Sequence, residues 1–154
     1  DGTNTLKRYS LGYRFQTDVT QIRFISPDLF DWEVSFSVLH GVLRGACSYL
    51  NIEQSDIAGC VQYFCNTSTN RPNFSLILYD TTPGGAGHVK RLNSPEVMIA
   101  VLKETLSLME QCDCGGEQMD SSCYTCLRSY YNQKYHDILK RGYVVTFIKS
   151  LLTE

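Results

Sequence analysis

Two cysteine pairs near the C-terminal end constrain this chain more than any other feature. Cys112 and Cys114 are separated by one residue, Cys123 and Cys126 by two, and eight residues lie between the pairs. Four thiolates can close a tetrahedron around a metal ion, and an all-thiolate site with no position left for water is typical of structural zinc. We therefore predict one structural Zn²⁺ per chain, held in a knuckle that spans residues 112–126.

Other uses of these cysteines stay open at this point. Iron–sulfur ligation, free buried thiols and a redox pair at Cys123 and Cys126 are the alternatives to zinc. The last two would make the close spacing of Cys112 and Cys114 a coincidence. A disulfide scaffold is not indicated, because the total of seven cysteines is odd and the other three lie in apolar surroundings. Those three are Cys47, Cys60 and Cys65.

Length and composition fit one globular domain. A chain of 154 residues with 43% hydrophobic and 19% charged residues can bury a core without disulfides. We expect residues 1–154 to be a single accessory domain and, since the chain begins without Met, a fragment of a longer one. The lack of a long apolar run or a signal sequence predicts a cytoplasmic protein with no membrane partner. The formal net charge of −2 gives no global attraction to nucleic acid.

Hydrophobic spacing predicts an α+β fold. Residues 9–25 are interpreted as two strands with a hairpin turn at residues 16–18, and residues 57–65 and 74–79 as two more strands. Helical spacing begins at Phe36 and ends before Asn51, starts again at Ser94-Pro95 and resumes near Val144. We predict a mixed sheet of about four short strands packed with helices, with the knuckle between the two C-terminal helical segments.

A glycine-rich loop follows the last predicted strand. Its backbone N–H groups could cradle an anion, although the loop matches neither a Walker A motif nor the dinucleotide fingerprint. The structural alternative is a tight turn in which glycines permit positive φ. The candidate anion or ligand residues are Asp80, Gly84, Gly85, Gly87 and His88.

The segment after the cysteines mixes basic, amide and aromatic side chains, which suit phosphate contacts and base stacking. An equally good interpretation is that these side chains pack on the knuckle and cap loop carbonyls. The candidate DNA contacts are Arg128, Tyr130, Asn132, Gln133, Lys134 and His136.

Taken together, these motifs resemble one family. Leu-Tyr-Asp-Thr-Thr-Pro-Gly-Gly-Ala-Gly at 78–87, the two cysteine pairs, and Leu-Arg-Ser-Tyr at 127–130 are similar to the MrfA-type zinc-binding domain. The resemblance implies that the four cysteines are zinc ligands. It also implies that the domain belongs to the C-terminal part of a superfamily-two DEAD/DEAH-type DNA helicase in DNA repair or phage defence. Lys140 departs from the family, where an acidic residue more often precedes the arginine.

Three classes of function follow from these observations. The first is a non-catalytic zinc domain that supports helicase motor domains in the same chain, with their ATP site upstream, and guides DNA. The second is a protein-interaction platform for other subunits of a complex. The third is a phosphate-handling enzyme that uses the loop at residues 80–88, although no nucleophile and base can be named for it.

Overall fold

A computed structural model describes residue 12 and residues 14–24, 31–68 and 70–153. The strands in this part of the chain are β1 (Val19–Arg23), β2 (Ile57–Asn66) and β3 (Arg71–Asp80). The longer helices are α1 (Trp32–Leu50), α2 (Pro95–Glu110) and α3 (Arg141–Leu152). Short 3₁₀ helices cover Val89–Asn93, Gly116–Gln118 and Tyr130–Tyr135. The predicted α+β class is confirmed.

The sheet has β3 in its centre, with β1 and β2 antiparallel on either side. The described residues thus give three antiparallel strands, where the sequence predicted a mixed sheet of about four. The predicted hairpin turn at residues 16–18 is wrong. This segment bonds to the end of β3 instead: Thr17 Oγ1 donates to the Asp80 carbonyl at 2.7 Å, and Gly84 N donates to the Gln16 carbonyl. Residues 9–11 and 13, from the expected first strand, lie outside the described residues.

The helix ends follow local capping chemistry. The Asp31 carboxylate caps the start of α1, four residues before the predicted start, by accepting from Glu33 N at 2.7 Å. Asn51 ends α1 in the left-handed conformation, as the predicted boundary required. Ser94 caps α2, and a proline occupies its first turn. The cysteine cluster lies between α2 and α3, as predicted.

The core lies between one face of β3 and the three helices. Alternate β3 residues, Phe74, Leu76 and Leu78, are buried, as expected for a sheet covered on one face. Phe147 of α3 packs edge-on to Phe24, with ring centroids 4.8 Å apart. No helix in the described part of the chain is long and apolar enough to cross a membrane.

Helices α1 and α2 approach each other closely because α1 carries a glycine at the crossing. A Cβ at Gly45 would overlap Thr105 Oγ1 and come within 3.0 Å of Thr105 Cα. Thr105 itself is fully buried and donates to the Val101 carbonyl. This contact fixes the position of α2, and so of the cysteine cluster that begins where α2 ends.

Candidate metal centre

The four cysteine sulfurs meet at one point between α2 and α3. All four Sγ atoms lie within 4.8 Å of one another. The Sγ atoms of Cys112 and Cys123 are 3.4 Å apart, those of Cys114 and Cys126 3.6 Å, and those of Cys123 and Cys126 3.8 Å. A tetrahedron with Zn–S bonds of about 2.3 Å has S–S edges of about 3.8 Å. The donor set and its size therefore fit a zinc ion.

Two local turns bring the pairs together. After the first pair, Gly115 and Gly116 take positive φ values of 75° and 57°. A Cβ on Gly115 would lie 2.8 Å from the backbone nitrogens of Asp120 and Ser121, so only glycine fits there. In the second turn, the Cys123 carbonyl accepts from three consecutive N–H groups, residues 126–128, at 2.9–3.2 Å. Cys123 N also donates to Cys126 Sγ at 3.2 Å.

The pKa values of three of these cysteines, Cys114, Cys123 and Cys126, are shifted. Burial raises the pKa of Cys114 and of Cys126 above the usual thiol value. Burial also acts to raise the pKa of Cys123, but hydrogen bonds from Cys112 and from Thr125 and Cys126 outweigh it and lower that pKa to about 6. A divalent cation at the centre would stabilise all four thiolates, including those that burial disfavours.

A buried arginine supports the first cysteine pair from α3. Arg141, only 4% exposed, donates from Nε to the Cys114 carbonyl at 2.6 Å and from Nη2 to the Gly116 carbonyl at 3.0 Å. Its Nη1 donates to the Met109 carbonyl in the last turn of α2 at 3.2 Å. One side chain thus joins α2, α3 and the knuckle. Sequence analysis noted this arginine only as the residue after Lys140, because nothing local marks its buried acceptors.

Lys140, the departure from the family pattern, has a structural role of its own. Its Nζ lies 3.5 Å from Glu33 Oε2 at the start of α1, and its backbone N–H donates to Ser37 Oγ at 3.1 Å. The lysine therefore links the start of α3 to α1.

The candidate DNA residues fall into two groups. Asn132 is buried; its side chain accepts from Ser129 N at 2.8 Å and donates to the Leu127 carbonyl at 2.8 Å. His136 Nε2 lies 2.9 Å from Asn132 Oδ1, so both residues brace the segment internally. Arg128 is half-buried, and its Nε donates to Ser122 Oγ at 3.0 Å. The side chains left open to solvent are Tyr130, Gln133 and Lys134.

Two exposed tyrosines beside this group were missed at the sequence level. Tyr124 and Tyr131 are 61% and 65% exposed, and Tyr130 is 78% exposed. The rings of Tyr130 and Tyr131 meet edge to face at 5.7 Å. A large aromatic residue between two metal-ligand positions was the available signal for Tyr124, because a tyrosine at a knuckle tip has little core to enter.

The glycine loop is organised around Asp80 from within the chain. The Asp80 side chain is fully buried; Oδ2 accepts from the backbone N–H groups of Ala86, Gly87 and His88 at 2.7–3.2 Å, and Oδ1 from Val89 at 3.0 Å. Those four donors already have a carboxylate acceptor. The geometry favours a structural turn over an anion site made from these residues.

Gly84, Gly85 and Gly87 serve that turn. All three have φ values between 81° and 87°, in the region that favours glycine. A Cβ on Gly85 would collide with the Asp18 carboxylate, which itself pairs with Lys90 Nζ at 3.0 Å. The loop therefore closes against the start of β1.

Fold and site together define a class: an α+β domain whose four-cysteine cluster can hold a metal ion where two helices meet. The family model described as the MrfA Zn-binding domain matches residues 38–127, a range that includes all four cysteines. The chain belongs to this family.

Two individual proteins are similar to the chain. It is 29% identical over 162 residues to Druantia protein DruE of Escherichia coli (strain UMEA 4076-1), a match that covers 95% of the chain and 8% of that protein. The crystal structure of the DUF1998 helicase MrfA bound to DNA superposes with a TM-score of 0.59 at 14% identity, over 86% of the chain and 17% of that structure. The similarity to the MrfA structure, at 14% identity, shows a shared fold. The chain spans a small part of each of these larger proteins.

Proposed function

We propose that Cys112, Cys114, Cys123 and Cys126 hold one structural Zn²⁺ per chain. The observation that supports this most directly is the meeting of four sulfurs within 4.8 Å in a chain of the MrfA Zn-binding domain family. Four thiolate ligands leave no position for a reacting water, so the proposed site is structural and not catalytic. When bound, the ion supplies a rigid cross-link between the two cysteine pairs.

The chain's own residues prepare this site. Arg141 fixes the carbonyls of Cys114 and Gly116, and therefore the first turn, from a buried position. Its positive charge offsets part of the net negative charge that four thiolates carry even around a divalent cation. The N–H groups that converge on the Cys123 carbonyl fix the second turn.

We propose that the domain, residues 1–154, serves an ATP-dependent DNA helicase whose motor domains lie elsewhere in the same polypeptide. Two observations support this. The chain is similar in fold to 17% of a protein described as a DNA-bound helicase, MrfA, and it spans only a small share of DruE. DNA repair and phage defence are the settings that the family resemblance implies. In this proposal the domain stabilises the C-terminal region of the helicase and guides DNA past the motor.

The exposed tyrosines and cations after the knuckle are the proposed DNA-contacting surface. Tyr130 offers a ring face for stacking, and Lys134 an exposed ammonium for phosphate. Gln133 is exposed beside them, whereas Asn132 and His136 act by bracing this surface from within. Arg128 contributes through the part of its guanidinium that Ser122 does not engage.

Metal analysis of the purified protein tests the zinc proposal. We expect about one zinc per chain, by the four-ligand rule, and loss of zinc in Cys126→Ser. Cys60→Ser is the matched control, because Cys60 is exposed and lies outside the cluster. A folded wild-type protein without zinc, or equal zinc contents in both variants, would contradict the proposal.

DNA affinity measured over a salt series tests the guiding role. We expect affinity to fall with salt, and Lys134→Ala to reduce the slope of log affinity against log salt by about 1. Lys103→Ala is the control, since Lys103 is exposed on α2 and lies outside both the cysteine cluster and the segment after it. Binding that does not respond to salt or to Lys134 would favour the protein-interaction platform instead.

A further inference from the structure

A cavity of about 410 Å³ lies beside the knuckle. Its walls come from one face of α1, the first half of β2 and the segment that follows the last cysteine. This volume is within the roughly 300–1,000 Å³ range of sites that take small molecules. Neither the cysteine cluster nor the glycine loop accounts for it.

The cavity has an apolar and aromatic lining. Leu39, Leu43 and Leu127 contribute aliphatic surface, and Phe36 and Tyr135 contribute rings whose centroids are 4.6 Å apart. Such a lining suits a flat, weakly polar body better than a strongly hydrated one.

The charges around the cavity are of one sign. Among the described residues that line it, Arg44 and Lys134 are cationic and none is acidic, although the chain as a whole carries −2. Lys134 Nζ lies 4.8 Å from the centroid of the Tyr135 ring. Arg44 of α1 also lines the cavity, and its Nη2 donates to the Thr125 carbonyl at 3.2 Å. An apolar space flanked by two cations fits a ligand with an aromatic body and an anionic edge.

We propose that this cavity takes one unstacked base of single-stranded DNA, with the neighbouring phosphates on Arg44 and Lys134. The inference rests on the proposed helicase role, which brings single-stranded DNA to this domain. A base offers a π-face to Tyr131 and Tyr135 whatever its sequence. Tyr131 also lines the cavity and is 65% exposed, so it is placed to meet a strand that arrives from solvent.

The same chemistry could arrive as a free nucleotide, and the two sources predict different results. A strand delivers its base by way of phosphates on both sides, so we expect an oligonucleotide to compete at far lower concentration than the deoxynucleoside monophosphate. Duplex DNA of the same length keeps its bases stacked, so its binding affinity should not depend on the cavity. A monophosphate that binds as tightly as the oligonucleotide would overturn the proposal of a strand.

The decisive experiment uses the zinc-loaded full-length protein without ATP and compares two oligonucleotides, one with every base present and one with a single abasic position. Leu43→Trp, on the α1 wall, fills part of the cavity with a larger side chain. We expect this variant to weaken binding of the intact oligonucleotide by roughly tenfold, the size of one stacking contact. The abasic oligonucleotide should bind wild-type protein more weakly to a similar degree, with no further loss in the variant.

A charge variant keeps the proposal open to refutation if the tryptophan disturbs folding. Lys134→Glu should weaken binding of the intact oligonucleotide more than Lys103→Glu, which makes the same change of net charge away from the cavity. Equal effects of the two variants, or an affinity indifferent to the missing base, would overturn the proposal.

Cross-linking separates failure of this inference from failure of the proposed function. An oligonucleotide with one 5-iodouracil should cross-link on irradiation to Tyr131 or Tyr135, and fragmentation of the cross-linked peptide assigns the residue. Cross-links to Tyr130 or Tyr124 alone would refute the base cavity and keep the DNA-guiding role. Cross-links elsewhere in the polypeptide and none in this chain would refute both.

Discussion

Arg141 Nε and the carbonyl oxygen of Cys114 lie 2.6 Å apart, the shortest of the three hydrogen bonds by which this buried guanidinium joins α3 to the knuckle and to α2. The planar fork of arginine can serve three carbonyls at once, whereas an ammonium on a flexible stem cannot reach the same three points. The first cysteine pair is therefore positioned by a residue that lies 27 positions away in sequence.

Arg141→Lys should destabilise the fold although it keeps the charge. At least one buried carbonyl would lose its donor, at a cost of about 1–3 kcal/mol in the free energy of unfolding. Urea denaturation and the rate of zinc transfer to a chelator would show the effect. Arg91→Lys is the control, because Arg91 is exposed; similar losses in the two variants would show that the three bonds are not important.

Asp80→Asn should weaken the glycine loop. The amide replaces one carboxylate oxygen by a donor, so at least one of the four N–H groups at residues 86–89 would face another N–H group, and the remaining bonds would lose their charge assistance. We expect a loss of about 3 kcal/mol in the free energy of unfolding. Asp56→Asn, which disturbs a single bond to Glu53 N, should cost much less.

Gly45→Ala should be destabilising even though alanine favours helices. The added Cβ would collide with Thr105 and force α1 and α2 apart, and overpacking of this kind costs about 1–3 kcal/mol. Thermal unfolding compares it with Gly12→Ala, where a Cβ meets nothing within 4 Å. A Gly45→Ala protein as stable as wild type would mean that the helices separate without cost.

His40 should make stability depend on pH below neutrality. Burial, with a smaller contribution from His136, lowers the pKa of His40 from 6.5 to about 4, and its Nε2 is buried without a hydrogen-bond partner. The unfolded state binds a proton below pH 6.5 that the folded state resists, so stability falls as pH drops from 6.5 towards 4. Between pH 7.5 and pH 5 the loss should be about 2 kcal/mol relative to His40→Phe.

Comparison with His40→Phe removes the effect of zinc release, because protonation of the cysteines affects both proteins alike. Urea denaturation at pH 7.5, 6.5 and 5 gives the two profiles. Parallel profiles would show that His40 titrates normally in the folded state.

Local patterns predicted the three longer helices and the three strands of the described residues, but not how the first strand pairs. The capping residues Ser94 and Asn51 act on neighbouring backbone groups, and the cysteine spacing is itself a local property, so these features are legible in sequence order. The pairing of β1 with β3, which replaced the expected hairpin, depends on contacts such as that between Thr17 and Asp80, 63 positions apart. No periodicity encodes such a contact.

The site residues divide in the same way. A buried polar residue and an exposed one look alike in sequence, which is why Asn132 and Lys134 entered the same candidate group although Asn132 caps a turn from within. Asp80 next to a run of glycines suggested an anion loop, but in the structure the Asp80 carboxylate is itself the acceptor. The cavity could not be foreseen, because its walls come from α1, β2 and the segment after the knuckle.

Cys126 and Leu127 are adjacent, and both are buried, yet one belongs to the metal cluster and the other to the wall of the cavity. If the proposed zinc fixes that wall of the proposed base cavity, then the metal and DNA are thermodynamically linked ligands of one domain. If the metal raises the affinity for a base by some factor, then a base in the cavity raises the affinity for the metal by the same factor. On the proposed function, protein bound to a strand would then keep its zinc against a chelator that strips the DNA-free protein.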